Sequence, residues 1–98
     1  NQFTELPKFP SVFRDISFLV EVDTKIDAVE QEINRVGGDM VVDVDLFDEF
    51  QQEGDDKKSL AFHIEYRSPE RTLTDAEISE VHKKIEHALK NEFGAEIR

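Results

Sequence analysis

The chain has no cysteine and no tryptophan, and only one tyrosine, one methionine, three prolines and four glycines among its 98 residues. Without cysteine there is no disulfide framework, no thiolate nucleophile and no Cys-based zinc site, a composition that fits a reducing compartment. Long hydrophobic runs are missing as well: apolar stretches stop at three residues, as in Phe18-Leu19-Val20 and Met40-Val41-Val42, too short to cross a bilayer as a helix. The amino end lacks a charged-then-apolar leader, and because the chain starts with Asn1 that absence bears on these residues and not on a longer parent. Negative charge is what the chain has in excess. The net charge of −11 lies entirely in Glu21–Asp56, where 13 acidic residues face 2 basic ones, while the remainder carries 10 of each. Such acidity opposes non-specific phosphate binding, which needs many Lys and Arg contacts, but leaves room for a short contact that reads bases. Most of these acids read as a solvated face.

A chain of this length buries roughly two-thirds of its unfolded surface, enough for one two-layer core. The expected organisation is a single domain over residues 1–98. Pro7 and Pro10 keep the start out of a helix, so residues 1–14 read as an extended arm packing on the domain through Phe3, Leu6, Phe9, Val12 and Phe13. Ile16, Phe18, Val20 and Val22 alternate with polar or exposed positions as a first strand. Asp23 or Thr24 caps a first helix, whose stripe is Ile26, Val29, Ile33 and Val36 and whose stop is Gly37-Gly38. Met40, Val42, Val44 and Leu46 predict a second strand with Val41, Asp43, Asp45 and Phe47 turned away from the core. A polar hairpin, Gln51–Lys58 with Gly54-Asp55 as its turn, leads to a third strand with Leu60, Phe62, Ile64 and Tyr66 inward. Thr74 and Glu77 have the spacing of a capping box, flanked by Leu73 and Ile78 as a hydrophobic staple. The second helix runs from Asp75 to about Phe93, Gly94 ends it, and Ala95–Arg98 is a last strand. The order βαββαβ, with right-handed crossovers placing both helices on one side, predicts an α+β fold: a ferredoxin-like two-layer sandwich with a four-stranded antiparallel sheet and one open face.

Five segments carry a family resemblance: Phe9-Pro10-Ser11-Val12-Phe13-Arg14-Asp15-Ile16, Leu46-Phe47-Asp48-Glu49-Phe50, Lys58-Ser59-Leu60-Ala61-Phe62, Arg71-Thr72-Leu73-Thr74-Asp75 and Gly94-Ala95-Glu96-Ile97-Arg98. In this order and spacing they resemble the ferredoxin-fold anticodon-binding domain at the C-terminus of the bacterial phenylalanyl-tRNA synthetase beta subunit. The resemblance implies an RNA-binding module of protein biosynthesis that reads the anticodon loop of phenylalanine tRNA. It also implies a cytoplasmic home, an alpha subunit and further beta-subunit domains as partners, and ATP and Mg²⁺ used elsewhere in the parent enzyme. The chain departs from the pattern at His63, where a more basic residue is common, at Gln51-Gln52, and in its acidity.

A single-stranded loop needs platforms for unstacked bases plus groups for their edges. On the open face, Phe47 and His63 are candidate stacking partners, Asp43 and Asp45 candidate acceptors for guanine N–H groups, and Arg67 and Arg98 candidate contacts to phosphate or base carbonyls, with Ala61 between them. Arg14 either joins this site or forms a local ion pair with Asp15 that anchors the arm. No phosphate loop or nucleophile–base set is present, so the segment reads as non-catalytic by itself. An acylphosphatase-like enzyme of this topology would need a Gly-rich anion loop where Glu21–Lys25 stands. An RNA-recognition motif would show aromatics on the third strand's open side, where Ala61, His63 and Glu65 stand instead. His82 and His87 lie about 140° apart on a helix and do not pair as metal ligands. The remaining alternative is a protein-interaction module of the same fold that does not bind RNA.

Overall fold

The computed structural model describes residues 9–51 and 53–98. Its elements are β1 (Val12–Glu21), α1 (Ile26–Gly37), β2 (Val41–Phe50), β3 (Lys57–Tyr66), α2 (Asp75–Phe93) and β4 (Glu96–Ile97), with a single 3-10 turn, Gly38–Met40, between α1 and β2. The four strands form one sheet in the order β2-β3-β1-β4, antiparallel throughout, and both helices pack on one side. This is the ferredoxin-like arrangement expected from element order and crossover handedness.

Alternation builds the core. Ile16, Phe18 and Val20 of β1 and Leu60, Phe62, Ile64 and Tyr66 of β3 are buried against Val29 and Ile33 of α1 and Ile78, Ile85 and Leu89 of α2. The start of α2 is fixed locally. Thr74 accepts from the Glu77 backbone N–H, and the Glu77 carboxylate accepts from the Thr74 backbone N–H at 2.9 Å, completing the capping box. Leu73 and Ile78 are both buried beside it, the two positions of the staple. At the other end Gly94 takes a left-handed conformation, φ 64° and ψ 28°, and donates to the Leu89 and Lys90 carbonyls. Gly37 is required for a different reason: a Cβ there would lie 2.2 Å from Val41 Cγ2, so the end of α1 and the start of β2 approach too closely for any side chain.

Several sequence expectations are corrected. β1 begins at Val12, whose partner is Tyr66, so residues 12–14 belong to the strand and not to the arm; residues 1–8 of the arm lie outside the described residues. Val22 is exposed and sits past the strand's end. The residue that caps α1 is Lys25, with no side-chain cap, in place of Asp23 or Thr24. β3 starts at Lys57, earlier than the hairpin reading allowed, and β4 holds only Glu96–Ile97. The largest change is in β2, which carries register irregularities between Val41 and Asp43 and between Leu46 and Asp48. The first turns Val41 into the core and leaves Val42 exposed, the reverse of the expected phase. A β-bulge inserts one residue and resets the alternation beyond it, which no period-two count along a single strand can register.

Candidate nucleic-acid interface

The open face is the side of the sheet opposite the helices. From β1 it carries Phe13, Asp15, Ser17 and Leu19, and from β3 Lys57, Ser59, Ala61, His63 and Glu65, paired as Phe13 with Glu65, Asp15 with His63 and Ser17 with Ala61. From β2 it carries Asp43 opposite Glu65 and Asp45 opposite His63; beyond the second bulge it carries Asp48 opposite Ala61 and Phe50 opposite Ser59. On uniform alternation Glu49 would have continued the row after Phe47. The bulge instead swings Glu49 to the helix side, where it pairs with Lys58 at 3.4 Å, and brings Asp48 and Phe50 round to the open face.

The expected site residues do not all converge. Asp43, Asp45, Phe47, Ala61 and His63 share the central open face, and Arg98 joins it from the β4 edge, its backbone N–H donating to the Ser17 carbonyl at 2.9 Å. Ala61 is nearly buried and serves as floor between Ser17 and Asp48. Arg67 lies past the end of β3, six residues from Ala61, or about 20 Å at the rise of a strand, in a separate cleft with Asp39, Met40, Val42 and Pro69. Arg14 is on the wrong side of the sheet. It points toward the helices, with Nη2 3.6 Å from Asp75 at the start of α2, while its neighbour Asp15 points the other way to His63, so the two form no local ion pair.

Two groupings emerge on this face. In the centre the Phe47 and His63 rings stack, centroids 3.7 Å apart and planes 6° from parallel, and His63 Nδ1 lies 2.5 Å from Asp15 Oδ1 on the neighbouring strand. Nearer β4, a concavity is lined by Ser17, Leu19, Asp48, Phe50, Ser59 and Arg98 together with Asp55 and Lys57. Lys57 is held by Glu96, which raises its pKa and lowers that of Glu96 through their hydrogen bond. Among the described residues Arg98 has no ion-pair partner, so it is the free cation of the concavity. Phe50 is 60% exposed, and Phe13, at the far end of the face, 61%. Sequence reasoning missed Asp48, Phe50, Asp15 and Phe13. The signal for Phe13 and Asp15 was present, because their alternation with Arg14 and Ile16 extends the first strand backward; nothing along the chain marked the bulge that exposes Asp48 and Phe50.

Such a face can hold bases better than phosphates. Rings with free surface stack on any base, and carboxylates accept hydrogen bonds from base N–H groups. The crowd of Asp15, Asp43, Asp45, Asp48 and Glu65 repels a polyanionic backbone. Among the described residues no three His, Asp or Glu side chains converge as a metal site, and no helix is long and apolar enough to cross a membrane.

The comparisons with known proteins agree with this fold. Residues 7–98 match the family described as the ferredoxin-fold anticodon binding domain. The chain is similar to the phenylalanine–tRNA ligase beta subunits of Clostridium tetani, at 46% identity over 99% of the chain, of Bacillus cereus, at 43% over 98%, and of Geobacillus kaustophilus, at 42% over 99%. It spans 12% of the length of each of these relatives. The chain belongs to the ferredoxin-fold anticodon binding domain family.

Proposed function

We propose that this domain is the tRNA-reading module of a phenylalanine–tRNA ligase beta subunit and that it takes the anticodon loop of phenylalanine tRNA on its open sheet face. The observation that carries this is the concavity in which the second bulge of β2 places an exposed ring, Phe50, and a carboxylate, Asp48, together with the guanidinium of Arg98, which has no ion-pair partner among the described residues. A base laid on the ring would have an acceptor for its N–H groups on one side and a cation for a carbonyl or phosphate oxygen on the other. In this reading the domain contributes recognition and no chemistry. Aminoacylation, with its ATP and Mg²⁺, is the work of the remaining beta-subunit domains and the alpha subunit, in the cytoplasm.

Because few cations face the RNA, recognition rests on bases and binding depends little on salt. At roughly −0.7 per phosphate contact for single strands, log K against log salt is expected to have a slope of about −1 to −3. The test is fluorescence anisotropy with a labelled anticodon stem-loop of phenylalanine tRNA and the same stem bearing a scrambled loop, at two salt concentrations. The expected result is preference for the cognate loop and a shallow slope. Equal affinity for both loops, or a steep slope, would overturn base reading on this face.

A further inference from the structure

We infer that Phe47 is a second nucleobase platform, separate from the Phe50 concavity, and that Asp15 is the residue that positions it by way of His63. This inference rests on the proposal that the open face binds RNA, and it deepens that proposal by adding a subsite. Phe47 is the residue inserted by the bulge between Leu46 and Asp48, so its ring is displaced from the regular rows of β2. One ring face is covered by the His63 imidazole at 3.7 Å, and the residue remains 47% exposed, which leaves the other face to solvent. A large ring that gains so little burial is held out by something other than the core. The imidazole that holds it is itself fixed. Asp15 and His63 are register partners on β1 and β3, and the 2.5 Å contact between Oδ1 and Nδ1 sets the plane of the imidazole and therefore that of the ring stacked on it.

The ligand class follows from the surroundings. Asp45 is the register partner of His63 on β2, and Asp48 follows Phe47 directly, so carboxylates flank the platform. Such a site rejects phosphate and favours an unstacked base presenting ring or exocyclic N–H donors. His63 and Ser59 are four positions apart on β3, and Ser59 lies opposite Phe50. At a strand's rise the two rings are thus about 13 Å apart along the sheet, so one loop can place different bases on them.

The test uses this chain and an RNA hairpin carrying the phenylalanine tRNA anticodon loop, intact or with one anticodon position at a time made abasic. Binding is read by anisotropy, with the thermal midpoint as a control for folding. Phe47→Ala is expected to weaken binding of the intact loop by about tenfold, as loss of one stacked base does, and Phe47→Trp to retain it. Phe47→Leu, which keeps apolar bulk without a ring, is expected to behave as Phe47→Ala does, so that a fold defect in the alanine variant does not decide the matter. His63→Phe, which can still stack, is expected to bind well. His63→Ala and Asp15→Ala are each expected to lose about threefold at an unchanged thermal midpoint. One abasic loop should erase the difference between Phe47→Ala and the parent chain, and a different abasic loop should erase that of Phe50→Ala. If Phe50→Ala weakens binding while the Phe47 variants do not, or if the same abasic position accounts for both rings, the second platform is wrong and RNA binding by the open face stands. If neither ring matters to the cognate loop, the proposed function fails with it.

Discussion

On the helix-covered side of the sheet, Phe18, Leu60, Phe62, Ile64 and Tyr66 are fully buried, while on the other side Phe13, Phe47 and Phe50 stand 47% to 61% exposed among carboxylates. The same strands make both surfaces, and one backbone carries a packed interior and a display of rings because side chains alternate. The packed face also holds a polar contact partly under cover: the Tyr66 hydroxyl and His82 Nδ1 are 2.9 Å apart. Burial raises the tyrosine pKa and lowers that of His82, so a protonated phenol meets a neutral imidazole there. On the proposed function, substitutions on one face are expected to be read in stability and those on the other in binding.

The largest expected effect tests the packed side. Phe62→Ala empties a fully buried site and should cost about 3–5 kcal/mol of unfolding free energy, measured by urea denaturation. A loss below 1 kcal/mol would mean that the core can collapse around the gap. The counterpart across the sheet is Phe50→Ala, which should leave the urea midpoint in place and weaken anticodon stem-loop binding by about 1–3 kcal/mol. A variant that lost stability and kept binding would reverse the assignment of faces.

Smaller effects sharpen the picture. Tyr66→Phe should cost about 1 kcal/mol by leaving His82 Nδ1 without its hydrogen-bond partner. The pH dependence has a defined sign. The folded-state pKa of His82 is depressed below 6.5, chiefly by burial, so as pH falls through 6.5 the unfolded chain takes up a proton before the folded one does, and stability declines until the folded pKa is passed. His82→Gln should flatten that decline in pH-dependent urea titrations. At the start of α2, Thr74→Ala should remove about 1 kcal/mol through the lost cap. Glu77, held down to about 2 first by its hydrogen bond to Arg71 and then by the Thr74 backbone, contributes stability that is complete above 4.5 and lost as pH falls toward 2. Glu77→Gln should therefore reduce the acid sensitivity of unfolding in that window and nowhere else. The smallest effect is expected from Lys83→Ala with Lys84→Ala on the outer face of α2, which should leave RNA affinity unchanged; a clear loss would move the interface to the helices.

Particular residues show why some of this could be read along the chain and some could not. The start of α2 was legible because Leu73, Thr74, Glu77 and Ile78 interact with one another, within a stretch too short for the rest of the fold to override. β3 was legible because it is regular and central, paired with β1 across all ten of its residues. β2 was not, since its two register breaks are relations between strands. Arg14 and Asp15 looked like partners in sequence, yet adjacent strand residues point to opposite faces, and each found its partner elsewhere, in Asp75 and His63.

The sequence by itself determined the order of elements, the buried face of the regular strands and both ends of the second helix, because those depend on side-chain periodicity and on contacts within a turn of chain. Only the tertiary structure decided that Asp48 and Phe50 reach the open face, that Phe47 is displaced and stacked on His63, and that Arg14 and Arg67 stand apart from both. A bulge, a stack between strands and the direction of a charged side chain are settled by which residue lies opposite. That information belongs to the pairing of β1, β2 and β3 and to no single stretch of the chain.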